Sequence, residues 1–149
     1  MKPKKKIDSN KLRFFGLDRA GSSSITISNN SISAGFPSPA DDFKETRISL
    51  DKTLVKNEEA TFYARVSGKS MINAGLDDGD LLVIDRSLEP ENGKIVVCFI
   101  DGDFTVKRLK KEKDKLFLMP ENESYQPIEI TEANDLLVWG VVTYVIKAL

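Results

Sequence analysis

The sequence predicts a mostly β protein, a compact domain of short and largely antiparallel strands behind a flexible N-terminal arm. Three observations predict it. Short runs rich in β-branched residues recur at close spacing between Thr61 and Ile146. Turn dipeptides, Asp78-Gly79, Asn92-Gly93 and Asp101-Gly102, fall between those runs. No helical period persists beyond about two turns.

Taken in order, the first strand expected is Thr61–Val66. Asp80–Asp85 follows with the apolar run Leu81-Leu82-Val83-Ile84. Lys94–Ile100 is rich in β-branched residues and ends at Asp101-Gly102-Asp103, a strong hairpin signal leading into Phe104–Leu109. Lys115–Met119, Ile128–Ile130 and Leu136–Ile146 complete the strands, with the polar run Lys110–Lys115 read as an exposed loop. Asp41–Leu50 and Met71–Leu76 are candidates for short helices. Residues 20–40 are dominated by Gly, Ser, Asn and Pro and carry no charge, which reads as a linker with a short extended stretch at Ile25–Ile32. Pro37 and Pro39 hold the residues before them extended, and the folded domain is expected to begin between Pro39 and Ile48.

The 149 residues suffice for one domain with an appended arm. Hydrophobic residues are 40% and charged residues 30%, as in an ordinary globular domain. The lack of any histidine excludes Ser-His-Asp and Cys-His catalysis and every His-ligated metal site. Cys98 is the single cysteine, which excludes an intrachain disulfide and a cysteine zinc cluster. No apolar run approaches the ~20 residues that span a bilayer, and the basic N-terminus lacks the apolar core of a signal peptide. A cytoplasmic protein with no membrane contact is the expectation. The net charge of −1 hides an asymmetry, because residues 1–34 carry a net +5 and residues 35–149 a net −6. The start, Lys2-Pro3-Lys4-Lys5-Lys6, suits a contact with nucleic acid or an acidic partner, and equally a solvated tail.

Ser67-Gly68-Lys69-Ser70 looks like the end of a phosphate-binding P-loop, but Tyr63 stands where the first glycine is needed, so nucleotide binding is excluded. Ser70 follows a strand and precedes a turn-rich stretch. Such a corner exposes a hydroxyl beside free backbone N–H groups, the geometry a nucleophilic serine needs, although most corner serines are structural. Any base must be a carboxylate or a lysine. Lys107 lies within a strand, and alternation puts it on one face with Thr105 and Leu109. Half burial there would favour the neutral amine, and an edge-strand lysine remains the simpler reading. Cys98 sits in an apolar run and reads as a small core residue. The aspartates Asp77, Asp78, Asp80, Asp101 and Asp103 fit turn chemistry better than metal binding.

Ser67-Gly68-Lys69-Ser70-Met71-Ile72, then Gly75, then Asp78-Gly79-Asp80-Leu81-Leu82, resembles the active-site segment of the LexA/UmuD family. These are self-cleaving serine peptidases of the S24 class in the bacterial SOS response. Asp103-Phe104-Thr105-Val106-Lys107-Arg108-Leu109, Leu118-Met119-Pro120-Glu121-Asn122 and Trp139-Gly140-Val141-Val142 match the same family. The resemblance runs from about Gly35 to the C-terminus. It implies the family's C-terminal peptidase domain over 35–149, a removable arm over 1–34, and a Ser-Lys dyad with Ser70 as nucleophile and Lys107 as general base. It implies an oxyanion hole from the backbone amides near Lys69 and Ser70, a scissile bond at Ala34-Gly35, and neither metal nor cofactor. The family's LexA-type members carry a helix-turn-helix domain before the cleavage site. The 34 residues here are too few for one, and Gly35-Phe36-Pro37-Ser38-Pro39-Ala40 looks like the UmuD branch. In that branch a RecA–single-stranded DNA filament stimulates cleavage. The shortened homodimer, or a heterodimer of cleaved and uncleaved chains, then serves a UmuC-type Y-family translesion polymerase. The arm is longer and more basic than that branch suggests. Two other readings stay open: a non-enzymatic regulator that uses the fold to dimerise or to titrate RecA or UmuC, and a LexA-like repressor.

Overall fold

A computed structural model describes residues 13–15, 24–28, 34–35 and 45–149. The chain forms two compact units, one of residues 18–56 and one joining residues 1–17 to 57–149.

In the smaller unit, β2 (Ser24–Ser28) pairs antiparallel with β3 (Glu45–Ser49), and one turn of helix, α1 (Leu50–Leu54), follows. Ala34 and Gly35 lie in the connection between these strands, and both are exposed. Of the extended stretch expected at 25–32, residues 25–28 lie in β2 and residues 29–32 lie outside the described residues. The helix expected over 41–50 is corrected where the chain is described: Glu45–Ser49 is a strand and only Leu50 is helical. Alternating Glu45, Arg47 and Ser49 with Thr46 and Ile48 suits a two-stranded ribbon better than a helix face.

The larger unit is an antiparallel sheet of eight strands in the order β1-β4-β5-β10-β6-β7-β8-β9. Its strands are β1 (Arg13–Phe15), β4 (Thr61–Arg65), β5 (Leu81–Asp85), β6 (Ile95–Ile100), β7 (Asp103–Glu112), β8 (Lys115–Met119), β9 (Ile128–Ile130) and β10 (Leu136–Ile146). The mostly β expectation is met, and every strand expected from Thr61 onward is present. Two strands, β1 and β2, also lie within the segment whose composition reads as an arm. The loop expected at Lys110–Lys115 is corrected to a strand extension with a tight turn. β7 continues to Glu112, pairing Lys110 with Phe117 and Glu112 with Lys115, and Lys113 turns the chain at φ +48°. The lysines tolerate this because their charged ends stay in water while Lys110 lies over the Phe117 ring at 5.9 Å. Met71–Leu76 holds one 3₁₀ turn, Ile72–Ala74.

The apolar runs of β6 and β7 are covered on both sheet faces. Val97 and Val106 join Ala64, Leu82, Ile84 and Met71 in one buried cluster. Val96, Cys98, Leu109 and Leu118 join Val141 and Ile100 in another. This explains the near-continuous hydrophobic run Ile95–Ile100, since a strand buried on both faces has no polar side to display. Among the described residues no helix is long and apolar enough to cross a membrane.

Candidate functional site

Ser70 sits on the corner that follows β4. Gly68 makes that corner possible with φ +99°, a conformation that L side chains rarely adopt. The Gly68 amide donates to Asp78 Oδ1 at 2.8 Å, while Val66 exchanges backbone hydrogen bonds with Gly79 and Asp80. Past the corner, Met71 and Leu76 are buried at 3% and 2% exposure and anchor the next turn in the core.

A second loop holds the corner from the far side. Pro120-Glu121-Asn122 follows β8. The Glu121 amide donates to the Ser70 carbonyl at 2.8 Å, and Asn122 Nδ2 donates to the Lys69 carbonyl at 2.8 Å. The Glu121 carbonyl in turn accepts from the Asn73 amide at 2.8 Å. Arg108 fixes Glu121 through Nε at 2.5 Å and donates from Nη1 to the Gly93 carbonyl. Both carbonyls of the corner are thus occupied. Among the described residues no hydrogen bond from the Lys69 or Ser70 amide is recorded.

Lys107 reaches Ser70 from β7. The register sets it beside Val96 of β6, and its side chain runs through the buried interior with 5% exposure. Its Nζ lies 3.0 Å from Ser70 Oγ, 2.8 Å from Thr105 Oγ1 and 3.0 Å from the Val106 carbonyl. Alternation correctly puts Thr105 on the lysine's face. The expected exposed hydroxyl is corrected: Ser70 is only 1% exposed. The buried Lys107 side chain lies against its Oγ. A buried hydroxyl–amine pair is kept from bulk water, and burial disfavours the charged form of an amine.

Cys98 is buried one register step away, opposite Thr105. Burial pushes its thiol up to about 12, against a weaker downward pull from the Lys107 charge. It is a core thiol and no nucleophile at neutral pH. Of the residues singled out by sequence, Ser70, Lys107 and Lys69 converge on one spot. Ala34 and Gly35 belong to the other unit. Thr105, Glu121 and Asn122 line the surroundings of Ser70, Lys69 and Lys107 without having been singled out for roles there. Alternation along β7 places Thr105 on the lysine's face, though it assigns the hydroxyl no role. The loop residues are marked by Pro120, which signals a strand end, and by their place in the motif Leu118-Met119-Pro120-Glu121-Asn122.

A family model described as Peptidase S24-like matches residues 26–143. Protein MucA of Salmonella typhimurium is 44% identical over 114 residues, which are 76% of this chain and 77% of that protein. Protein ImpA of Escherichia coli is 44% identical over 113 residues, 76% of this chain and 77% of that one. The LexA repressor of Vibrio cholerae is 38% identical over 117 residues, 78% of this chain and 56% of the repressor.

Proposed function

The chain belongs to the Peptidase S24-like family, and from that membership we propose that it is a self-cleaving serine endopeptidase with a role in the SOS response. Ser70 is the nucleophile and Lys107 the general base, and the scissile bond is Ala34-Gly35. The observation that carries this reading is the buried 3.0 Å contact between Lys107 Nζ and Ser70 Oγ. In a chain without histidine, a buried lysine within proton-transfer distance of a serine is the base available to it.

The chemistry follows from that contact. Neutral Lys107 takes the Ser70 hydroxyl proton as Oγ bonds to the Ala34 carbonyl carbon. The carbonyl oxygen becomes an oxyanion, which the Lys69 and Ser70 amides can meet. Collapse breaks the Ala34–Gly35 bond, and the Lys107 ammonium returns its proton to the departing Gly35 amine. Water, deprotonated by the same lysine, then hydrolyses the Ser70 ester. The products are residues 1–34 and Gly35–Leu149. Because substrate and enzyme are one chain, a high effective concentration replaces affinity.

On this reading a RecA–single-stranded DNA filament stimulates the cut. The processed homodimer, or a mixed dimer of cut and uncut chains, is the accessory subunit of a UmuC-type polymerase. Cleavage separates a +5 segment from a −6 body, so the electrostatic surface offered to partners changes sign in part.

The test is intact-mass spectrometry of purified protein held at about pH 10, where an amine is substantially neutral, beside Ser70→Ala. A fragment beginning at Gly35 is expected from the parent. In the variant its rate should fall by at least about a thousandfold, to below detection. If no such fragment forms at high pH, nor with RecA filaments and ATP, the peptidase reading fails and a non-catalytic dimerisation module takes its place.

A further inference from the structure

Among the described residues, three close the β4 edge of the large sheet. β4 pairs with β5 over five residues but with β1 over three, Arg13↔Arg65, Phe14↔Ala64 and Phe15↔Tyr63. Phe14 is half-buried in an aromatic cluster, with ring centroids 4.7 Å from Trp139 and 4.9 Å from Phe104. Phe62 lies 5.1 Å from Trp139, Phe99 lies 5.0 Å from Phe104, and the Arg86 guanidinium covers Trp139 at 4.5 Å. Without β1, the larger unit would present an unpaired strand edge beside an open aromatic socket, the combination that accepts an added strand.

We propose that the β4 edge and the Phe104–Trp139 socket form a strand-acceptor site for a partner protein, and that Arg13–Phe15 is its built-in plug. The occupant is an extended polypeptide segment that pairs antiparallel with Tyr63–Arg65, seats an aromatic side chain in the socket and carries an acid opposite Arg65. The chemistry of that segment is read from the plug. Phe14 shows what the socket holds. In the register an arginine, Arg13, stands opposite Arg65, and since like charges at opposite positions disfavour a strand pair, an acid at that position would favour it.

Plug and edge belong to one chain, so the plug meets its edge at an effective concentration that a free partner must exceed. The link to function rests on the self-cleavage reading: cutting Ala34–Gly35 removes the covalent tether from plug to body, and the site opens by dilution. The acceptor site itself stands on the pairing and the rings alone.

Trp139 is the chain's single tryptophan and reports directly on the socket. The experiment uses the full chain carrying Ser70→Ala, so that cleavage and its failure play no part. Phe14→Asp in that background should shift Trp139 emission to the red, with Phe14→Ala as the milder variant should the first not fold. A synthetic peptide of residues 11–18 should reverse the shift saturably at millimolar concentration. The same peptide with Arg13→Glu should bind about two- to fivefold tighter. The parent chain should not respond. Unchanged emission in both variants, no reversal by peptide, or equal response from the parent would each overturn the proposal. Reversal by added parent chain but not by peptide would also overturn it, assigning the edge to a second copy.

Discussion

At the scale of the residue, Lys107 Nζ is met by Ser70 Oγ, Thr105 Oγ1 and the Val106 carbonyl. An ammonium can donate to all three. A neutral amine has two N–H bonds and one lone pair, so it can donate to the carbonyl and to Thr105 while accepting from the Ser70 hydroxyl. On the proposed reading these neighbours can serve both protonation states, with the proton passing between Ser70 and Lys107. This separates a base from a mere positive charge. Lys107→Arg keeps a cation and its donors but cannot give up a proton. Its self-cleavage should be abolished as fully as in Lys107→Ala, by about a thousandfold or more in the rate of fragment formation, with the circular dichroism spectrum retained. Retained cleavage in the arginine variant would exclude the lysine as base. Cys98→Ala should cleave at the parental rate, since a thiol raised to about 12 is neither ionised nor reactive near neutrality.

At the scale of the element, the structure turns on places where backbones meet closely. β10 changes register between Val138 and Gly140, and an added Cβ at Gly140 would lie 2.6 Å from Ile84 Cγ2 and 3.3 Å from Arg86 Cγ. Ile84 is wholly buried in the core and cannot withdraw. Gly140→Ala should therefore lower stability by about 1–3 kcal/mol in urea unfolding, and an unchanged midpoint would mean the bulge relaxes freely. Asn122 is a positioning residue through its bond to the Lys69 carbonyl. Asn122→Ala should slow cleavage by about tenfold with the same pH dependence and little change in unfolding midpoint, whereas equal cleavage would leave the loop without influence on the corner. These elements were unequally legible. The strands from Thr61 onward were legible because β-branched runs and turn dipeptides mark them locally. Ser70 and Lys107 stood out by position, yet only the motif resemblance joined residues 37 apart in sequence, because no local pattern encodes a long-range contact. β1 was illegible for a related reason. Three residues are too few to show a period, and Phe14 becomes meaningful only when Phe104 and Trp139 are seen around it. Glu121 acts on Ser70 through its backbone amide, which leaves no trace in side-chain pattern, and Asn122 reaches the Lys69 carbonyl with its side-chain amide across 53 residues, a contact no local pattern encodes.

At the scale of the larger unit, one ion cluster ties the end of the chain to the serine corner. Lys147, just past β10, donates to Asp77 Oδ2 at 2.5 Å and also to Asp80 Oδ2. The Asp77 amide donates to Asp80 Oδ2, and the same turn braces Val66 and Gly68 through Asp80 and Asp78. Burial raises the Asp80 carboxyl, but hydrogen bonds from Lys147 and the Asp77 amide, with the lysine's charge, outweigh it and hold the group below its ordinary value. A depressed carboxyl stabilises the fold above its unfolded pKa of about 3.9, and that contribution is lost as pH falls through the lower folded value. Hydrogen bonds to Asp77 and Asp80 raise Lys147 above its ordinary 10.5, so its contribution is complete below that value and is lost as pH rises through the folded one. Between the two limits the clamp is intact, while catalysis asks the opposite of the other lysine, that Lys107 be neutral. Self-cleavage should then rise with pH from neutrality, by at most about tenfold per unit, until Lys107 is neutral, and fall only where Lys147, held above its ordinary 10.5, releases the turn. Lys147→Gln separates the two demands. Without its cation Asp80 keeps the burial but loses the compensating charge, so acid unfolding followed by Trp139 emission should begin at higher pH than in the parent. The rise of cleavage with pH below 10 should keep its slope. An acid transition that stays in place would show that the cluster does not brace the fold, and a flattened cleavage profile would show that the alkaline rise belonged to Lys147 and not to the amine beside Ser70.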